Sequence, residues 1–94
     1  MKKTIDIKNL EELCSVLGLP ETEVPKLRIR LDLAYGIRTT IEKNGLTHVE
    51  AAFRTGVGRT VITAIMNGNL NKISTDRLID IAQGLGLKLE LKVA

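Results

Sequence analysis

The residues whose types and spacing carry the clearest chemistry lie between Thr47 and Gly68, in the segment THVEAAFRTGVGRTVITAIMNG. Its second half places Arg59, Thr60 and Thr63 on one side of a helix. A guanidinium can bond guanine through O6 and N7 together, and a threonine can bond a base or phosphate while its methyl group contacts thymine. The pattern predicts contacts with a DNA duplex.

Two short helices around a glycine turn must position these side chains. Thr47 is a predicted N-cap, and Glu50 completes a capping box three residues later. Gly56 supplies the turn position that needs a positive φ, and the second helix begins at Gly58 or Arg59. Asn67–Gly68 ends this helix. Two helices joined by a short glycine-containing turn form a helix-turn-helix, whose second helix enters the major groove.

The inner side of this helix pair is apolar, as such an arrangement requires. Ala52 is the small residue at the helix crossing, and the anchors of the second helix are Val57, Ile62 and Ile65. Val61 and Ala64 are further outward positions. Arg54 lies outward on the first helix, whereas Arg28, Arg30 and Arg38 fit a solvated or salt-bridged face better than a DNA contact.

Backbone contacts with DNA are expected at the helix ends, because the free N–H groups of a helix N-terminus bind phosphate. Thr47 and His48 are such candidates, although plain solvent exposure fits His48 equally well. Asn67 and Lys72 follow the second helix. The predicted DNA-binding set is Thr47, His48, Gly58, Arg59, Thr60, Thr63, Asn67 and Lys72.

Composition permits such a partner without requiring it. The chain has 94 residues, a net charge of +3 and a pI of about 9.2. Residues 26–44 carry five basic and two acidic side chains, so the positive charge lies in the middle of the chain. With one Phe, one Tyr and no Trp, the core must consist of Leu, Ile, Val and Ala.

Several other function classes are disfavoured. Cys14 and His48 are the single Cys and His, so one chain offers no disulfide, CxxC or His–Cys metal site. No nucleophile stands in an activating context, and we expect neither an enzyme nor a cofactor. The absence of an apolar run of about 18 residues and of a signal-peptide pattern predicts a cytoplasmic protein without a membrane partner.

The chain divides into three predicted segments. Residues 1–24 form an N-terminal extension with a short strand at 3–7 and a helix from Asn9 to Leu17. Residues 25–86 form the helix-turn-helix domain, with a long helix at 26–43 and another from Ser74 or Thr75 to Gly84. Residues 87–94 alternate apolar and polar side chains, which predicts a strand.

That C-terminal strand needs a partner for its backbone. The segment 4–7 is one candidate, and the same strand of a second chain is the other. We favour the second, or both together, because a palindromic operator requires a two-fold dimer.

At these residues the chain resembles the Cro/repressor family of helix-turn-helix proteins, also called XRE-like. The resemblance spans about residues 26–87 and implies a mainly α, lambda-repressor-like bundle of four to five helices whose third helix reads DNA. It implies a repressor that acts as a homodimer. The matching residues are Leu46, Thr47, Glu50, Ala51, Ala52, Gly56, Val57, Ile62, Ile65, Asn67, Gly68, Leu78, Ala82, Leu85 and Gly86.

Two residues depart from that family pattern. His48 stands where a phosphate-contacting Gln is usual, and Gly58 stands where Ser often caps the reading helix. Histidine can still donate to phosphate, and glycine is an acceptable N-cap.

Over its whole length the chain is similar to the XRE-like subgroup that includes HigA-type antitoxins, often encoded beside an RNA-cleaving toxin. This similarity implies an alternative function, in which the chain neutralises a cognate toxin and autoregulates its operon. The acidic N-terminal residues Glu11, Glu12, Glu21 and Glu23 fit a solvated surface better than catalysis. A second use of this acidic zone would be to complement a basic toxin or to pack on the basic helix. A third alternative is a helical scaffold that has lost DNA binding.

Overall fold

The computed structural model describes residues 21–90 together with Val16 and Gly18. A 3-10 helix at Glu21–Glu23 precedes four α-helices: α1 Val24–Lys43, α2 His48–Thr55, α3 Arg59–Met66 and α4 Thr75–Gly84. The predicted mainly helical fold with a helix-turn-helix is confirmed. The predicted strand at 3–7 and, except for the helical Val16, the predicted helix at 9–17 lie outside the described residues.

Contacts divide the chain into two compact units, Met1–Asp32 and Leu33–Ala94. In the described part of the first unit, Val24 is buried and packs with Leu27 and Leu31. An ion pair at 3.7 Å joins Arg28 to Asp32, so this arginine belongs to a salt-bridged helix face as predicted. Among the described residues, no helix combines the length and apolar character needed to span a membrane.

The second unit contains an aliphatic core contributed by all four helices. Its largest fully buried side chains are five isoleucines and one leucine, and burying each contributes roughly 1.5–3 kcal/mol. The absence of buried aromatic side chains from this core agrees with the composition. The six side chains are Ile37, Ile41, Ile62, Ile65, Leu78 and Ile81.

Three of the helices end in the same hydrogen-bonded motif, in which the two residues after the cap donate back to carbonyls of the last turn. At the end of α1, the amides of Gly45 and Leu46 donate to the carbonyls of Glu42 and Ile41 at 3.1 and 3.0 Å. Residues 68–69 close α3 in the same way, and residues 86–87 close α4. These closures satisfy carbonyls that a helix C-terminus otherwise leaves without partners.

The predicted C-terminal strand is not observed at residues 87–90, and residues 91–94 lie outside the described part. Leu87 is instead part of the closure of α4, since its amide donates to the carbonyl of Ala82 at 3.0 Å. Its side chain lies against Gly36 of α1, with Cδ1 3.4 Å from where a Cβ on that glycine would stand. The apolar character of this position therefore serves packing within the chain.

A close backbone approach joins α2 to α4 at Gly84. A Cβ built on this glycine would stand 3.1 Å from Cα and 3.3 Å from Cγ2 of Thr55, the last residue of α2. Thr55 is itself held, because its hydroxyl donates to the carbonyl of Ala51 at 2.8 Å. The sequence indicated only that Gly84 ends a helix, and the structure adds that it permits this approach.

We expect Gly84→Ala to lower the free energy of unfolding and Gly36→Ala to raise it. Overpacking costs about 1–3 kcal/mol, which exceeds the gain of about 1 kcal/mol that alanine brings to a helix. A Cβ on Gly36 would instead meet only a movable leucine methyl. Urea unfolding of the two variants measures the difference, and equal stabilisation by both would contradict this account of Gly84.

Candidate nucleic-acid interface

The turn between α2 and α3 contains two glycines with different backbone conformations. Gly56 lies in the left-handed region at φ 75° and ψ 12°, and its amide donates to the carbonyl of Ala52 at 2.9 Å. This confirms the predicted positive φ. Gly58 is extended, at φ −71° and ψ 152°, and is the N-cap of α3, which begins at Arg59.

The crossing of α2 and α3 depends on small side chains on one helix and branched ones on the other. Ala51 and Ala52 are buried on α2, and Ile62 and Ile65 are fully buried on α3. Val57, the predicted anchor in the turn, is half-buried. The predicted inner side of the helix pair is thus observed.

The start of α2 has the predicted capping box. The hydroxyl of Thr47 accepts from the amide of Glu50 at 3.0 Å, and the amide of Thr47 donates to Oε1 of Glu50 at 2.9 Å. These bonds to Thr47 lower the pKa of the Glu50 carboxyl, and the charge of Arg54 lowers it further. Thr47 is therefore both exposed and held in place beside the N-terminus of α2.

The N-terminal end of α3 presents the side chains with the clearest chemistry. Arg59 and Thr60 are exposed, and Gly58 makes no side-chain cap bond to the helix. Val61 and Ala64 are half-buried. Arg59 and Thr60 thus remain accessible to a partner at the N-terminus of α3, which is the positive end of the helix dipole.

Two of the predicted DNA contacts are joined to each other. Nδ1 of His48, the first residue of α2, lies 2.8 Å from Oγ1 of Thr63 on α3, and both side chains are half-buried. The sequence treated these residues as separate contacts. Because 15 positions separate them, no local pattern could have shown the bond.

Arg38 and Asn67 lie at the opposite end of α3. Nη1 of Arg38 donates to the carbonyl of Ile65 at 3.4 Å, where a cation complements the negative end of the helix dipole. Asn67 is the exposed C-cap of α3. A helix of eight residues is about 12 Å long, so Arg59 and Asn67 mark the two ends of a short exposed surface.

Lys72 lies beside a second cation, Arg77, which the sequence reading missed. Both line a surface depression of about 270 Å³ together with Val61, Ile73 and Ser74. Ser74 is the N-cap of α4, and its hydroxyl accepts from the amide of Arg77 at 3.1 Å. The spacing of Lys72 and Arg77 on either side of a predicted N-cap was the available signal.

Together these features form a surface suited to a polyanion. Two exposed cations, Lys72 and Arg77, lie beside the N-terminus of α4, and the depression that they line reaches α3 at Val61. Within the described part of the chain, no group of three or more His, Cys, Asp or Glu side chains could hold a metal ion.

Comparison with known families agrees with this geometry. A family model described as a helix-turn-helix domain matches residues 16–94, which is most of the chain. The chain belongs to this helix-turn-helix family. A helix-turn-helix domain indicates a DNA-binding regulator, with α2 and α3 as its helix pair. No curated protein and no solved structure matched the chain.

The capping box of this helix-turn-helix domain should make its stability depend on pH through Glu50. Its pKa is lowered from 4.5 in the folded state, so the carboxylate stabilises the fold above that pH. This contribution is lost as the pH falls through the lowered pKa. We expect the stability advantage of the wild type over Glu50→Gln to be larger at pH 7 than at pH 3.

Urea unfolding at both pH values measures this difference. Glu42→Gln removes an exposed carboxylate of α1 and controls for the change in net charge. An advantage over Glu50→Gln that stays constant between the two pH values would contradict the assignment.

Proposed function

We propose that this chain is a sequence-specific DNA-binding transcriptional regulator, most simply a repressor, that reads its operator with α3. The observation that carries the proposal is the anchoring of α3 by Ile62 and Ile65, with Arg59 and Thr60 exposed at its N-terminal end. A recognition helix contacts base edges through its N-terminal residues. The proposal places the chain in the cytoplasm and gives it no enzymatic activity.

Base readout in this proposal depends on a short set of side chains. Arg59 forms the paired hydrogen bond to a guanine, and Thr60 and Thr63 contact neighbouring base edges or methyl groups. Each good paired contact contributes roughly 1–3 kcal/mol of discrimination between bases. With so few readers on one helix, a single copy specifies only a few base pairs.

Backbone contacts fix the orientation of the helix on the duplex. At the start of α2 they involve Thr47 and His48, and Gly58 lets the first turn of α3 approach a phosphate closely. Asn67 contacts the backbone beyond α3. Lys72 and Arg77 bind phosphate together, because the depression that they line also lies beside the N-terminus of α4.

The proposal includes a homodimer, because the exposed side of α3 is small. Specific protein–DNA complexes reach dissociation constants of about 10⁻⁸–10⁻¹¹ M, which needs more discrimination than one helix of eight residues supplies. Two copies related by a two-fold axis would read two half-sites about 34 Å apart. The resemblance to XRE-like repressors supports the same arrangement.

Selection from a pool of random duplexes is expected to enrich an inverted repeat with that spacing, bound by two chains per duplex. On this operator, Arg59→Ala should weaken binding by roughly 1–3 kcal/mol while the fold is kept. Lys72→Ala and Arg77→Ala should instead lower the slope of log affinity against log salt by about one each.

Titrations at several salt concentrations separate these effects, because loss of a phosphate contact weakens binding to all sequences alike. A random duplex is the control for non-specific binding. The proposal is wrong if no sequence is enriched, or if Arg59→Ala leaves operator affinity unchanged at matched salt.

A second candidate function is neutralisation of a cognate toxin, with DNA binding serving autoregulation. The observation that favours it is an apolar pair on α2: Phe53 is 89% exposed and Val49 is 62% exposed. These residues are four apart and share one helix face. Aromatic side chains are enriched in protein interfaces, and Glu50 and Arg54 beside the pair offer charges of both signs to a partner.

If this candidate is correct, the protein encoded by the neighbouring gene should copurify with this chain when the two are coexpressed. Phe53→Ser should weaken that complex about tenfold or more, because interface aromatic residues commonly contribute over 1 kcal/mol. Operator affinity should stay unchanged. Gln83→Ser, at an exposed position of α4, is the matched control. Equal capture by Phe53→Ser and the wild type would count against this use of the α2 face.

A further inference from the structure

The bond between His48 and Thr63 links a residue at the start of α2 to a residue in the middle of α3. The 2.8 Å separation of Nδ1 and Oγ1 is that of a hydrogen bond, and both side chains are half-buried. His48 is also the single histidine of the chain. The contact therefore places an imidazole ring, whose nitrogens can donate or accept a hydrogen bond, against the proposed base contact Thr63.

The state of the imidazole ring decides which partner supplies the proton of this bond. A neutral ring that carries its proton on Nε2 accepts at Nδ1, so the threonine hydroxyl donates its only hydrogen to the ring. A protonated ring donates from Nδ1, and the hydroxyl then accepts. The same Oγ1 atom can thus be left with different hydrogen-bonding capacity toward a third group.

That capacity corresponds to different base edges in the major groove. When its hydrogen is given to His48, Thr63 offers only lone pairs, which suit the amino groups of adenine N6 and cytosine N4. When His48 donates, the hydroxyl hydrogen is available to guanine O6 or N7, adenine N7 or thymine O4. The preferred base pair opposite Thr63 consequently depends on the ring.

We propose that His48 is a positioning residue that sets the hydrogen-bonding polarity of Thr63, and with it the base preference at one position of each half-site. The inference rests on the proposed DNA-binding function and deepens it. A phosphate bound at Nε2 requires a proton there, so it excludes the neutral form that carries its proton only on Nδ1. The ring then accepts from Thr63 when it is neutral and donates to Thr63 when it is protonated.

His48 has no ion-pair partner in the described part of the chain. None of the ionisable groups on its own helix or on the elements packed with it forms an ion pair with the ring. Those on its own helix are Glu50 and Arg54; those on elements packed with α2 and α3 are Arg38, Glu42, Lys43, Arg59, Asp76, Arg77 and Asp80.

The first measurement needs no DNA. Nitrogen NMR of the single histidine reports the tautomer and titration of its ring directly. Replacing the hydroxyl in Thr63→Val should change the tautomer ratio, and Thr63→Ser should restore it because serine keeps a hydroxyl there. An identical ring signal in the wild type and Thr63→Val would overturn the inference whatever the chain does with DNA.

The second measurement compares base preference at two pH values. All single base-pair variants of the selected half-site compete for the protein at pH 5.5 and pH 8. Ratios between duplexes cancel the uniform gain that a protonated ring gives to every phosphate contact. In the wild type, the preference at one position should shift roughly three- to tenfold from cytosine, which presents an amino group, at pH 8 toward guanine or thymine, which present acceptors, at pH 5.5.

Two variants of His48 distinguish positioning from a merely structural role. Asn places an amide near the Nδ1 position and does not titrate, so His48→Asn should keep a preference that no longer depends on pH. Gln places its amide near the Nε2 position, so His48→Gln should lose the discrimination whatever its effect on backbone affinity, because ratios between duplexes cancel that effect. Circular dichroism confirms that each variant is folded.

The inference fails if the wild-type preference is the same at both pH values, or if His48→Gln retains the shift. Both results would be obtained on a selected operator, so either one would leave the DNA-binding proposal intact. Failure of that proposal has a different signature, since selection from random duplexes would then enrich no sequence.

Discussion

The burial of Ile62 and Ile65 is the interaction on which the position of α3 depends. A helix of eight residues is too short to be stable alone in water, because isolated helices shorter than about 12–15 residues are at most marginally stable there. Removing these two side chains from solvent contributes roughly 3–6 kcal/mol to holding α3 in place. The exposed side of α3 is therefore available for chemistry because its other side supplies the stability.

The same requirement explains the small residues around α2. Ala52 is the small buried residue of α2 beside α3, and Gly84 lets the end of α2 approach α4 so closely that a methyl group there would crowd Thr55. Arg38 then fixes the far end of α3 through the carbonyl of Ile65. A short helix held on one face and at one end keeps a defined orientation, which recognition of base edges requires.

Local signals in the sequence were sufficient for the helix pair α2 and α3 and its ends. The capping box at Thr47, the left-handed Gly56 and the end of α3 at Asn67 appear as predicted, because each depends on residues within about four positions. Contacts between distant residues were not predictable in this way. The bond from His48 to Thr63 spans 15 positions, and no propensity or spacing encodes which side chains meet across a helix crossing.

The alternation of apolar and polar residues at 87–93 predicted a strand that residues 87–90 do not form. A period of two is typical of a strand, but it indicates only which side chains prefer burial. At Leu87 that preference is met by Gly36 of α1, while the backbone bonds to the last turn of α4. Arg77 was missed for a related reason, since its proposed role depends on Lys72, which lines the same depression.

Gly58 gives the start of α3 an unusual relation to any ligand. A serine there would place a hydroxyl on the first-turn amides, and that hydroxyl would act as an intramolecular competitor at very high effective concentration. Glycine supplies no such competitor. An incoming phosphate or base oxygen then need not displace a side chain of the protein. The helix is slightly less stable without a ligand, and ligand binding does not have to break a hydrogen bond to a capping hydroxyl.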